Sequence, residues 1–159
     1  MKVYKGIEAF DRVNYPVVTV GTFDGLHIGH QKIISRMSEI ARANDGSTVL
    51  ITFEPHPRIV LNNNRGKLRF ISTQKRKFQL LEHFGIDHMV VIPFTREFAK
   101  TPSEVFVKEY IVEKIRAKKL IVGYDHHFGR NREGSYSQLI EMGRRYGFGV
   151  EEIPAQYVD

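Results

Sequence analysis

At 159 residues, 42% hydrophobic and 26% charged, the chain has the make-up of one soluble globular domain large enough to bury a sizeable core. It holds no cysteine, which excludes disulfides, thiolate metal ligands and thiol nucleophiles, and no apolar run near the roughly 18 residues of a membrane span. The net charge of +6 sits in short groups such as Lys75-Arg76-Lys77, Lys118-Lys119 and Arg144-Arg145, a pattern of solvated helix faces that also attract phosphorylated small molecules, with a basic nucleic-acid-binding module as the remote alternative.

Residues 1–15 offer an edge strand and a loop and carry no signal-peptide core. Residues 17–20 are β-branched, lie between Pro16 and Gly21, and read as a buried strand of a parallel sheet. They lead into Gly21-Thr22-Phe23-Asp24-Gly25-Leu26-His27-Ile28-Gly29-His30, after which Ile33, Ile34, Met37, Ile40 and Ala41 recur at helical spacing. The turn thus joins a strand's carboxyl end to a helix's amino end, where unpaired N–H groups attract anions. Gly21, Gly25 and Gly29 let phosphates approach the backbone, His27 and His30 can project to the same side, and Asp24 either forms the turn or orients the site.

A turn at Asn44-Asp45-Gly46 precedes a second buried strand over 47–53, which Glu54-Pro55-His56-Pro57 breaks. The two prolines stiffen a loop over the same crevice, with His56 between them as a binding candidate. Residues 61–69 form a polar loop. Ser72 or Thr73 caps a helix that turns Phe78, Leu80, Leu81 and Phe84 inward and ends at Gly85. Residues 89–92 are a third strand, stopped by Pro93. Thr101-Pro102-Ser103-Glu104 has the spacing of a full capping box, starting a helix that carries Val105, Phe106, Tyr110, Ile111 and Ile115 towards the core.

A fourth strand, 119–122, runs into a second glycine-rich loop, Gly123-Tyr124-Asp125-His126-His127-Phe128-Gly129-Arg130-Asn131-Arg132-Glu133-Gly134. There Asp125 could accept from a ribose hydroxyl or a base amine, Phe128 could stack on a ring, and Arg130 and Arg132 could clamp phosphate. Ser135 caps a helix through Tyr146, and residues 149–153 give a fifth strand. Strands alternating with helices imply an α/β fold: a Rossmann-like doubly wound, mostly parallel five-stranded sheet with helices on both faces, one domain over 1–159. The three chemically rich segments each follow a strand and should converge on one face.

No G-x-x-x-x-G-K-[ST] loop and no G-x-G-x-x-G occur, which removes support for P-loop chemistry and dinucleotide reduction. Zinc held by His27, His30, His56 or the His126-His127 pair is a competing reading; the glycines speak for phosphate, and no metal ligand is assigned.

The His27-Ile28-Gly29-His30 motif resembles the H-x-G-H signature of the nucleotidylyltransferase superfamily. Three more segments, Thr52-Phe53-Glu54-Pro55-His56-Pro57, Pro93-Phe94-Thr95-Arg96-Glu97-Phe98-Ala99 and 122–134, make nearly the whole chain similar to the adenylyltransferase module of the prokaryotic bifunctional riboflavin kinase/FAD synthetase family. The resemblance implies transfer of AMP from ATP to FMN, giving FAD and pyrophosphate, with Mg²⁺ carried on ATP, in the cytoplasm and without nucleic-acid or membrane partners. It implies that His27 and His30 are catalytic, donating hydrogen bonds to phosphate oxygens, and that Gly21, Thr22, Phe23, Asp24, Gly25 and Gly29 line the adenylate site. Pro55, His56 and Pro57 would lie on the flavin side, and Gly123, Asp125, Phe128, Gly129 and Arg130 near ribose, adenine or phosphate.

The chain departs from the family where Asp125-His126-His127-Phe128-Gly129 replaces the usual Asp-Phe-Arg-Phe-Gly. The family also continues with a Ser-Ser-Thr/Ser-x-Ile/Val-Arg segment and a riboflavin kinase domain, so the chain reads as a truncated form of a longer protein. Another small H-x-G-H enzyme, such as a phosphopantetheine adenylyltransferase, is the alternative.

Overall fold

The computed structural model describes residues 1–23, 26, 28–55, 57–62, 74–123 and 135–154. In it the apolar runs become strands: β1 (Lys2–Lys5), β2 (Pro16–Val20), β3 (Ser47–Glu54), β4 (His88–Pro93), β5 (Lys119–Gly123) and β6 (Gly149–Ile153). The segments of helical period become α1 (Ile28–Ala43), α3 (Gln74–Phe84), α4 (Ser103–Phe106) and α5 (Tyr136–Tyr146), and a short helix that the sequence did not suggest, α2 (Pro57–Asn62), lies between α1 and α3 in the chain. The strands form one sheet in the order β1-β4-β3-β2-β5-β6, with every neighbouring pair parallel. It has six strands where the sequence suggested five. The addition is the edge strand at the amino terminus, which pairs with β4 from Lys2↔His88 to Lys5↔Val91.

Because successive strand residues point to opposite faces, the core divides into two layers. Val18, Ile51 and Leu120 pack with Phe106, Ile111 and Leu139 on one side. Val17, Leu50 and Ile121 pack with Ile34, Met37 and Leu81 on the other. Thus α1 and α3 cover one face while α4 and α5 cover the other. Fully buried side chains such as Ile34, Leu50 and Ile111 each stabilise the fold by about 2 kcal/mol relative to exposure.

The expected capping box at Thr101 does not form. Pro102 is itself extended (φ −62, ψ 148) and takes the cap position, so the helix begins at Ser103, and no side chain caps it. From Val107 to Ile115 the chain continues as a π-helix, which turns Val107, Ile111 and Ile115 inward. Val105, expected in the core, is 37% exposed. The start of α5 follows expectation: the Ser135 hydroxyl accepts from the Gln138 N–H, and the Gln138 side chain accepts from the Ser135 N–H. Ser72 and Thr73, the expected caps of α3, lie outside the described residues.

Candidate active site

The winding direction of the sheet reverses beside β2. From β2 the chain steps outward through β3 to β4, then returns across the sheet to place β5 on the other side of β2. Ligands of open α/β sheets bind at such a reversal, outside the carboxyl ends of the strands. Here β2 and β5 pair at Val17↔Lys119 and Val18↔Leu120. Next to this ladder the Thr19 hydroxyl donates to the Ile121 carbonyl at 2.7 Å. Gly21 directly follows β2 and Gly123 closes β5, so both parallel strands end in a glycine at the same edge of the sheet. Asp125, Phe128, Gly129 and Arg130 lie outside the described residues.

Two hydrogen bonds hold described residues of the turn after β2. The Gly21 N–H donates to the Ile51 carbonyl at 2.9 Å, and the Gln31 carboxamide donates to the Leu26 carbonyl at 3.0 Å. Phe23 (φ 52) and Leu26 (φ 35) both adopt left-handed backbone and are buried in the layer under α1. Non-glycine residues in that region cost about 1–3 kcal/mol each and concentrate at ligand sites. A Cβ at Gly21 would lie 3.2 Å from the Phe23 ring, so the glycine is what lets the ring settle over the strand end.

His30, half-buried in the first turn of α1, stacks on that ring with centroids 4.4 Å apart and planes at 16°. Phe23 itself is 4% exposed, so its ring supports His30 and offers no open face for a base to stack on. Gly29 is buried in the same turn and Thr22 is half-buried beside Gly21. The first turn of this 16-residue helix holds no acidic residue, leaving its partial positive charge available to an anion. Asp24, Gly25 and His27 lie outside the described residues, so of the two motif histidines the structure places His30.

At the end of β3 the Glu54-Pro55 peptide is cis, Pro55 is exposed, and the Phe94 N–H donates to the Glu54 carbonyl at 3.0 Å. Pro57, expected in a loop, opens α2, a position that suits its fixed φ and missing N–H. His56 lies outside the described residues. Sequence reasoning gave no site role to the half-buried rings gathered here: Phe53 stands 5.7 Å from both Phe94 and Phe98. The signal was available, since two aromatics follow a strand's carboxyl end within five residues.

Among the described residues no group of three or more His, Asp or Glu side chains is placed to hold a metal, and no helix is long and apolar enough to cross a membrane.

The family model for FAD synthetase matches residues 11–159. The chain belongs to the FAD synthetase family. The match begins just after β1 and its following turn, so it takes in the doubly wound unit from β2 onward. A bifunctional riboflavin kinase/FMN adenylyltransferase of Buchnera aphidicola subsp. Schizaphis graminum is 38% identical over 154 residues, covering 96% of this chain and 49% of that protein. The Escherichia coli protein of the same name is 30% identical over 152 residues, covering 94% of this chain and 48% of that protein. A Listeria monocytogenes FAD synthetase is 30% identical over 138 residues, covering 87% and 55%. The chain therefore spans about half the length of the curated relatives it matches. A crystal structure of a macrolide-efflux protein from Streptococcus pneumoniae superposes with a TM-score of 0.79 at 21% identity, over 97% of this chain and 58% of that one, and shows the shared fold alone.

Proposed function

We propose that this member of the FAD synthetase family is an FMN adenylyltransferase domain that transfers AMP from MgATP to FMN, releasing FAD and pyrophosphate. The observation that carries the reading is the left-handed backbone of Phe23 and Leu26 at the β2/β5 reversal, where His30, on the first turn of α1, stacks on the Phe23 ring beside a strand end at which a Cβ would crowd that ring. The names of the curated relatives support it.

An oxygen of the FMN phosphate attacks the α-phosphorus of ATP. The bond from that phosphorus to the bridging oxygen breaks, and pyrophosphate leaves with the electron pair. The attacking phosphate is already anionic, so no protein base need deprotonate it, and catalysis consists of alignment and charge stabilisation. His27 and His30 donate hydrogen bonds to phosphate oxygens, with the amino end of α1 aimed at the same charge. Mg²⁺ bound to the nucleotide substrate would supply positive charge to offset that on the departing pyrophosphate.

Gly21, Thr22, Asp24, Gly25 and Gly29 supply close backbone approach to the adenylate. Gly123, Asp125, Phe128, Gly129 and Arg130 belong to the adenosine side. Pro55, His56 and Pro57 form the flavin side, with the rings of Phe94 and Phe98 as its apolar wall. The same reading makes this a cytoplasmic module, spanning 1–159, of a protein whose other half is a riboflavin kinase.

The test incubates the 159-residue chain, and a version carrying the family's second half, with MgATP and either FMN or phosphopantetheine. FAD and pyrophosphate are expected in equal amounts from FMN. Adenylylation of phosphopantetheine without any FAD would overturn the assignment.

A further inference from the structure

Three threonines are buried in the sheet, Thr19, Thr48 and Thr52, at 1%, 1% and 3% exposure. Two have their hydroxyls satisfied. Thr19 donates to the Ile121 carbonyl at 2.7 Å, while Thr48 donates to the Gly85 carbonyl at 2.6 Å and accepts from the Asp87 N–H at 2.8 Å. The Thr52 hydroxyl is equally shut away from solvent and has no hydrogen-bond partner. A buried hydroxyl without a partner destabilises a fold, and valine would fill the same volume without that penalty.

The position of Thr52 is specific. Val20 is in register with Ile51, so the next pair sets Thr52 beside Gly21, while its other neighbour is Val91 on β4. Leu50 belongs to the layer under α1, and Thr52, two residues further along the strand, faces the same way. There it lies at the sheet's carboxyl edge, in the layer that holds Phe23 and Leu26. Those two residues carry the left-handed backbone of the turn. Two separate local penalties, backbone strain and an unsatisfied hydroxyl, therefore fall on one small region around the amino end of α1. Unfavourable features gathered in this way mark residues shaped for a bound state rather than for the free fold.

We infer that Thr52 is a positioning residue of the nucleotide site, its hydroxyl donating to a backbone carbonyl among residues 21–23 of the turn when a nucleotide polyphosphate is bound. The inference rests on the nucleotide reading of that turn. It separates the hydroxyl's two effects in sign: the group weakens the free protein and strengthens its complex.

The test compares Thr52→Val and Thr52→Ser with the parent chain, using calorimetric titration with MgATP and thermal unfolding with and without it. Thr52→Val should raise the Tm of the free protein by about 3 °C, weaken the Kd for MgATP about tenfold and reduce the Tm gain that MgATP produces. Thr52→Ser, which keeps the hydroxyl, should bind MgATP within about twofold of the parent. Unchanged MgATP affinity in Thr52→Val would overturn the inference, leaving a packed hydroxyl and nothing more. Parallel loss of Tm and affinity in both variants would overturn it in favour of a purely structural role. A parent chain that binds no MgATP fails at an earlier point, since it removes the nucleotide reading and the inference with it.

Discussion

A methyl group at Gly21 would meet two ring carbons of Phe23 at 3.2 Å, and that ring has little room to give, being buried, on left-handed backbone and stacked beneath His30. Gly21→Ala should therefore displace the Phe23–His30 pair as a unit. A loss of about 1–2 kcal/mol in urea unfolding is expected, together with weaker MgATP binding; full retention of both would mean that the ring relaxes freely. His30→Ala probes the same pair from the side of chemistry. Removing one donor to a developing phosphate charge costs on the order of a hundredfold in turnover, so the rate of FAD formation should drop by about that factor in a version that turns over. An undiminished rate would remove His30 from the mechanism while leaving the family assignment intact.

Among the elements, β3 is fastened at both ends in different ways. At its amino end Thr48 is bonded to the connection between α3 and β4: its hydroxyl reaches the Gly85 carbonyl and the Asp87 N–H, and its own N–H donates to the Asp87 carboxylate at 3.0 Å. Thr48→Val would remove the hydroxyl's bonds to the half-buried Gly85 carbonyl and to the Asp87 N–H, which keeps its bond to the Thr48 carbonyl at 3.2 Å, for a loss of about 1 kcal/mol measured as a lower urea midpoint at unchanged m. This is opposite in sign to Thr52→Val, four residues along the same strand. The pair explains how far the sequence could be read. The strands, and the junction that leads from β2 into α1, were legible because β-branched runs, punctuating glycines and helical spacing are local properties. Whether a threonine in such a run has a partner is not local: Thr19, Thr48 and Thr52 look alike on the chain and differ only in what the neighbouring strand or loop presents. The same limit hid the start of α4, since spacing cannot show that Pro102 is extended. It also hid the π-helix, because Val107, Ile111 and Ile115 step by an interval that an α-helix would also accept.

Across the whole molecule the sheet has an uneven response to acid built into its edge. β1 is held against β4 through register pairs and through Tyr4, whose hydroxyl lies 3.0 Å from Nδ1 of His88. Phe10 closes over the same imidazole with ring centroids 6.2 Å apart. Burial lowers the His88 pKa below its ordinary value of 6.5; Lys2 and the terminal amino group push the same way, and Asp87 and Asp11 oppose them. Since the folded value lies below the unfolded one, the unfolded chain takes up the proton first as the pH drops. The fold then keeps its full stability above about pH 6.5 and loses this contribution progressively below it, down to the folded pKa. The expected measurement is a Tm that falls between pH 7.5 and pH 5.5, with a smaller fall in His88→Gln, which stays neutral throughout. Hydrogen exchange should show β1 amides losing protection before those of β2 and β5, because β4 and β3 stand between the protonated edge and the switch point. Identical acid responses in the two proteins would exclude His88 as the source. Early loss of protection at β2 would mean that acid reaches the candidate site by some route other than the sheet's amino-terminal edge.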